Sequence, residues 1–191
     1  MSHAELFDSL AALLRYPDES YPRSADACKS ALLDEQPEIL ALAEDFRRRV
    51  SSLSTEDLQE LFTQTFDLNP VCSLEVGWHL FGEQYERGEF LVRMRQQLRR
   101  FEIPETTELP DHLTHVLSVL GRMEPEEAEE FAGACVYPAL DKMSKGLAGK
   151  ENPFEFVLDL VTRVTESRYK RPAAVAAQPP ALRVFQEGEL A

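Results

Sequence analysis

Four histidines and one short acidic turn hold most of the side chains in this sequence that could do chemistry. His112 and His115 stand three apart, a spacing that puts two imidazoles on one face of a helix and invites a metal ion. His79 follows Glu75 by four residues and His112 follows Glu108 by four, with Pro110 interrupting the second pair. Carboxylate-bridged dinuclear bundles use Glu-x-x-His on two helices, so this spacing fits them poorly. No metal ligand set is assigned, and a metal-binding or enzymatic bundle using His79, His112 and His115 stays as an alternative. The run Glu108 Leu109 Pro110 Asp111 His112 Leu113 points instead to recognition. Pro110 locks its own φ and keeps Leu109 out of helical geometry, which sets Asp111 and His112 at the opening of a helix whose free N–H groups attract negative charge. Glu108, Pro110, Asp111, His112 and His115 are the candidate peptide-binding residues. Trp78, the sole tryptophan, and Tyr85 are aromatic candidates for a groove with an acidic rim, which would bury apolar side chains and neutralise basic ones. The competing reading of Trp78 is a core anchor.

Catalysis and nucleotide binding find less support. Neither Ser118 nor Cys135 has the surroundings of a triad or a nucleophile elbow, and the glycines form no Walker or dinucleotide fingerprint. The chain is read as no enzyme and as holding no cofactor stably. Cys28, Cys72 and Cys135 lie far apart, which suggests neither a zinc knuckle nor a disulfide framework and fits reduced thiols in a cytoplasmic protein. A formal charge of -14, from 34 acidic against 20 basic residues, repels nucleic acid and anionic lipid and attracts basic peptides, although acidity also serves plain solubility. No apolar run reaches the roughly 18 residues of a spanning helix, and no export signal is evident.

The elements that must position these groups read as helices throughout. With 43% hydrophobic residues, 191 residues can bury a core in one domain. Ser2 with Glu5 makes a capping box, and Leu6, Phe7, Leu10, Leu13 and Leu14 recur at helical spacing until Tyr16 and Pro17. Further helices are predicted after Tyr21 Pro22, from Pro37, from Ser54 to the break at Asp67 Leu68 Asn69 Pro70, and on both sides of Gly88 between Val76 and Phe101. Arg93 to Arg100 give that last segment a basic outer face. Leu113 to Leu120 form another helix, and the one through Phe131 and Met143 should be kinked or divided by Pro138. Asn152 and Pro153 open the last. No stretch alternates long enough to demand a strand, so the expectation is an all-α, single-domain bundle with kinked helices over residues 1–171. Residues 172–191, rich in Pro and Ala, are expected to be a flexible tail in which Leu182, Val184 and Phe185 could dock.

Phe66 Asp67 Leu68 through Leu80 Phe81, then Glu83, Arg87 Gly88 and Glu108 Leu109 Pro110 Asp111 His112 Leu113, resemble the TorD/DmsD/NarJ family of molybdoenzyme maturation chaperones. Leu14 Arg15 Tyr16 Pro17 Asp18 Glu19 and Asn152 Pro153 Phe154 are similar to its nitrate reductase assembly branch. His112 stands where that branch often has tyrosine, a lean toward the branch serving exported enzymes, so nitrate reductase and exported relatives both stay open as clients. The resemblance covers about residues 6–168. It implies an all-helical, cytoplasmic, non-enzymatic protein, monomer or dimer, with a part in nitrate assimilation on the first of those readings. Such a protein binds the N-terminal segment or twin-arginine leader of a catalytic subunit. It holds the apoenzyme until the molybdenum bis-guanine-dinucleotide cofactor is inserted. Pro110, Asp111 and His112 match the family's recognition motif. A helical adaptor without peptide specificity is a further alternative.

Overall fold

The structure, a computed structural model, describes residues 2–172, so the expected tail from 173 onward lies outside the described residues. Among the described residues the fold is all-α, with no strand and a single isolated antiparallel bridge between Glu75 and His112. Helix α1 (His3–Ala12) begins at a reciprocal capping box: Ser2 Oγ accepts from Glu5 N–H at 3.2 Å, and Glu5 Oε2 accepts from Ser2 N–H at 2.7 Å. Helices α2 (Tyr21–Ala31) and α3 (Pro37–Val50) each carry proline in the first turn, where a missing N–H costs nothing. Ser54 caps α4 (Thr55–Phe62), which passes into a π-helical turn at Thr63–Asp67 before the predicted break at Asn69 Pro70.

The helix break expected at Gly88 falls elsewhere. Helix α5 (Val76–Phe81) ends at Gly82, whose φ of 60° is the left-handed conformation that a residue without Cβ adopts freely. Gly88 lies inside α6 (Tyr85–Arg100), where exposure to solvent lets it pass as an ordinary helical residue. Helix α7 (Leu113–Leu120) follows the 101–112 connection, and α8 (Pro125–Phe131) comes next. Pro138 divides the following segment as predicted: a π turn at Ala132–Val136 precedes α9 (Tyr137–Leu147), because proline offers no N–H to the preceding turn. Helix α10 (Phe154–Arg168) closes the described chain, its first N–H held by Asn152 Oδ1 at 2.9 Å.

Helix α7 is the axis of the packing, with all eight residues buried and α1 lying along it. Helices α3 and α9 flank α10, α2 covers α3, and α5 sits between α6 and α9. Phe154 joins the layers: its ring meets Phe46 at 6.2 Å, Phe62 at 5.5 Å and Phe66 at 5.0 Å between centroids. Each such buried ring contributes roughly 1.5–3 kcal/mol of burial. Phe62 also meets Tyr16 edge-on at 5.6 Å, and Tyr16 is half exposed. That contact brings the stack to the surface, at the floor of a groove.

Candidate functional site

The groove has a volume of about 590 Å³ and runs between α1, the end of α4, the 102–108 connection and α7. Leu14, Tyr16, Phe62, Ile103 and Pro104 supply its apolar lining. Asp67, Glu102 and Glu108 bring carboxylates to it, against Arg15. Asp8 and Arg122, at one end, neutralise each other: Arg122 Nη2 donates to Asp8 Oδ2 at 2.7 Å and Ser118 Oγ to Asp8 Oδ1 at 2.7 Å. Burial works against these bonds, yet they hold the Asp8 carboxyl below its usual range. Asp67 is pushed the other way, upward, by desolvation and by nearby Glu75, against a hydrogen bond from Thr63. It reaches the groove because the π turn carries α4 on to its edge.

Of the residues singled out in the sequence, the structure brings Glu108, His112 and His115 together in this groove. The imidazoles are fixed by their own neighbours. His115 Nδ1 donates to Leu109 O at 2.9 Å, and its Nε2 faces the Thr106 hydroxyl at 3.2 Å. His112 is the N-cap of α7: its Nδ1 accepts from Thr114 N–H at 3.4 Å and meets the Thr114 hydroxyl at 2.7 Å. That assigns the His112 proton to Nε2, which lies 4.0 Å from Glu108 Oε2. Burial pulls His112 down to about 4, with Glu75 opposing and His115 adding to the shift. Near neutral pH His112 is therefore uncharged, because a buried imidazole without a bonded carboxylate holds an extra proton poorly.

The other candidates lie apart from the groove. Trp78 is half-buried, donates Nε1–H to Pro70 O at 2.9 Å and carries the Arg87 guanidinium 5.7 Å from its ring centre. Tyr85 is 81% exposed at the start of α6. Pro110 is buried, and Asp111, a candidate peptide-binding residue in the sequence, is 0% exposed and offers its side chain to no client. Its side chain turns inward because Gly77 N–H donates to Oδ2 at 3.0 Å, with Arg87 Nε 3.7 Å away. Burial raises the Asp111 carboxyl against the lowering effect of Arg87.

His79 is buried and bonded through Nε2 to Ser73 O at 2.7 Å, and does not line the groove with the other two candidate imidazoles. His112 and His115 have ring centres 6.5 Å apart, and among the described residues no three His, Cys, Asp or Glu side chains converge as a metal set. Among those residues no helix is long and apolar enough to cross a membrane. Sequence reasoning missed Tyr16, Phe62, Asp67 and the Asp8–Arg122 pair, which come from segments distant in the chain. Signals did exist for Tyr16, in the Leu14 to Glu19 run, and for Asp67, in the Phe66 Asp67 Leu68 run, both of which carry the resemblance.

Comparison with known proteins bears on what this groove serves. The chain is 26% identical over 165 residues to the nitrate reductase molybdenum cofactor assembly chaperone NarJ of Escherichia coli (strain K12), covering 83% of this chain and 68% of that protein. It is 32% identical over 125 residues to the probable nitrate reductase molybdenum cofactor assembly chaperone NarJ of Bacillus subtilis (strain 168), covering 64% of this chain and 67% of that protein. The family model described as nitrate reductase delta subunit matches residues 32–148, a span that includes Phe62, Asp67 and the whole Glu108–Ser118 wall. The chain therefore belongs to the nitrate reductase delta subunit family, and with such relatives it is an assembly chaperone and not an enzyme.

Proposed function

We propose that this protein is the dedicated chaperone of a nitrate reductase-like molybdoenzyme. It captures the N-terminal segment of the catalytic subunit in the groove between Tyr16 and His115, and keeps the apoenzyme open until molybdenum bis-guanine-dinucleotide is inserted. The observation that carries the reading is the lining of that groove. A half-exposed aromatic floor, Tyr16 on Phe62, lies among three carboxylates, and the nearby imidazoles and hydroxyls are already held in place. A basic, amphipathic peptide fits such a surface. Its apolar side chains cover Tyr16, Leu14 and Ile103, and its Lys or Arg groups meet Asp67, Glu102 and Glu108. Because His115 and His112 are ordered beforehand, little entropy is lost at that wall on binding.

Both relatives are nitrate reductase chaperones by name, which favours a nitrate reductase as client over an exported enzyme with another substrate. The protein acts before or during cofactor insertion, and the cofactor stays with the client. The chaperone works in the cytoplasm, where cofactor loading takes place. Glu108, His112 and His115 are its contact residues. Pro110 and Asp111 shape the turn that presents them, and Trp78 holds the neighbouring segment.

Calorimetric titration with the N-terminal peptide of the catalytic subunit tests this. Saturable binding at micromolar or tighter Kd is expected, with about tenfold loss in the double variant Tyr16→Ala with Glu108→Gln. Wild-type affinity in that variant would show that the client docks elsewhere.

A further inference from the structure

Asp111 is the one acidic residue of the recognition turn that a client cannot reach, and its bonds run to a different helix. Oδ2 accepts from Gly77 N–H at 3.0 Å, and the backbone O of Asp111 accepts from Val76 N–H at 2.9 Å. Val76 and Gly77 are the first two residues of α5, whose own N-cap, Glu75, makes no side-chain bond to the helix. The missing cap is thus supplied from 34 residues away in the sequence. Leu113 N–H completes the tie by donating to Leu74 O at 2.8 Å, around the bridge between Glu75 and His112.

Both ends of this tie lead to the groove. On one side, His112 and His115 follow Asp111 directly and form the α7 wall. On the other, α5 carries Trp78, whose indole holds Pro70 O and so anchors the turn that follows Asp67. Asp111 stands behind the groove and joins the support of its two walls. The space around it is filled. A Cβ on Gly77 would lie 2.6 Å from Asp111 Oδ2 and 3.0 Å from Phe90 Cδ1, so glycine is what lets the carboxylate approach α5 this closely. Arg87 stands beside the same oxygen, its Nε 3.7 Å from Oδ2 and its side chain three-quarters buried, and among the described residues neither that Nε nor Asp111 Oδ1 has a hydrogen-bond partner. Arg87 therefore balances charge at a distance and leaves the hydrogen bonding to α5.

We propose that Asp111 is a positioning residue for client capture: by capping α5 from the start of α7, it sets the spacing between the Asp67 side and the His112/His115 side of the groove and makes no contact with the client. The inference rests on the groove being the client site. It differs from the recognition role implied for this residue by the family motif, in which the aspartate charge meets basic groups of the client. The cap needs an acceptor oxygen, and direct recognition needs a charge. Asparagine keeps the first and removes the second.

The experiment is titration of wild type, Asp111→Asn, Asp111→Ala and Arg87→Met with two peptides: the client N-terminal segment, and the same segment with every Lys and Arg replaced by Gln. The expected result is that Asp111→Asn and Arg87→Met stay within about threefold of wild type on both peptides. Asp111→Ala should lose about tenfold or more, equally on both. Fluorescence of Trp78, the sole tryptophan, should shift in Asp111→Ala and stay unchanged in Asp111→Asn, since only the former frees α5. If Asp111→Ala does not fold, Asp111→Asn still decides. A tenfold loss in Asp111→Asn on the basic peptide, absent on the neutral one, would overturn the positioning role and leave the groove as client site intact. A wild-type protein that binds neither peptide would overturn the groove reading itself.

Discussion

The α7 wall and the Trp78–Arg87 side of α5 and α6 lie on either side of Asp111 and are built on opposite principles. The wall is polar and rich in bonds: His115 is bonded through both ring nitrogens, His112 caps its helix through Nδ1, and Ser118 and Arg122 share Asp8. The other side is poorer in bonds. Among the described residues Arg87 Nε and Asp111 Oδ1 are both buried without partners, 3.7 Å separates Arg87 Nε from the bonded Oδ2, and Tyr85 stands largely in solvent. A wall whose imidazoles and hydroxyls are tied to their own neighbours is a fixed template, because moving one of them leaves a buried group unbonded. A seam with slack in its ion pair responds to substitution through geometry, and passes the effect to the groove.

Gly77→Ala should produce the largest effect, because the new Cβ meets a buried carboxylate oxygen and the Phe90 ring. A loss of about 2–3 kcal/mol in urea unfolding is expected. No loss would mean that the seam has more room than the 2.6 Å approach allows.

The wall should show itself through pH. Burial holds His112 near 4 when folded, whereas the unfolded chain restores it to about 6.5. The unfolded state then binds more protons between those values, so His112 contributes full stability above about 6.5, and that contribution is lost as pH falls toward 4. Between pH 7 and pH 5 this amounts to about 1–2 kcal/mol, with the raised Asp111 carboxyl acting in the opposite sense. Unfolding of wild type and His112→Gln at the two pH values isolates it: the slope should flatten in the variant. An unchanged slope would assign the pH dependence to other groups, His79 first, since burial lowers it too.

The smallest effect is expected at Tyr85→Ala. With its side chain largely in water and away from the groove, peptide affinity should change less than about twofold and stability by under about 0.5 kcal/mol. A marked loss of affinity would extend the client surface over the start of α6 and weaken the contrast between the two sides.

Much of this protein was legible one helix at a time. Ser2 with Glu5, Ser54 with Asp57, and Asn152 mark helix starts through bonds that span two or three residues, Pro37 marks one through its fixed φ, and Pro138 marks a division through the donor it lacks. The turn at Glu108 to His112 was equally visible, and so was the acidity that favours a basic partner. The break at Gly82 rather than Gly88 was not, since each glycine is followed by a glutamate and the left-handed turn at Gly82 goes with the packing of α5 against α6 and α9.

The groove itself belongs to tertiary structure alone. Asp8 and Arg122 are 114 residues apart, and Tyr16 meets Phe62 only because α1 and α4 converge on the same core. The inward turn of Asp111 is of the same kind. Nothing in the order Pro110 Asp111 His112 distinguishes a carboxylate offered to a client from one that caps a helix 34 residues earlier. Local order determines which residues become helical, because caps and side-chain periodicity act within one or two turns. Which carboxylate faces water and which is buried follows from how the helices pack, and that packing is settled by contacts the local pattern does not contain.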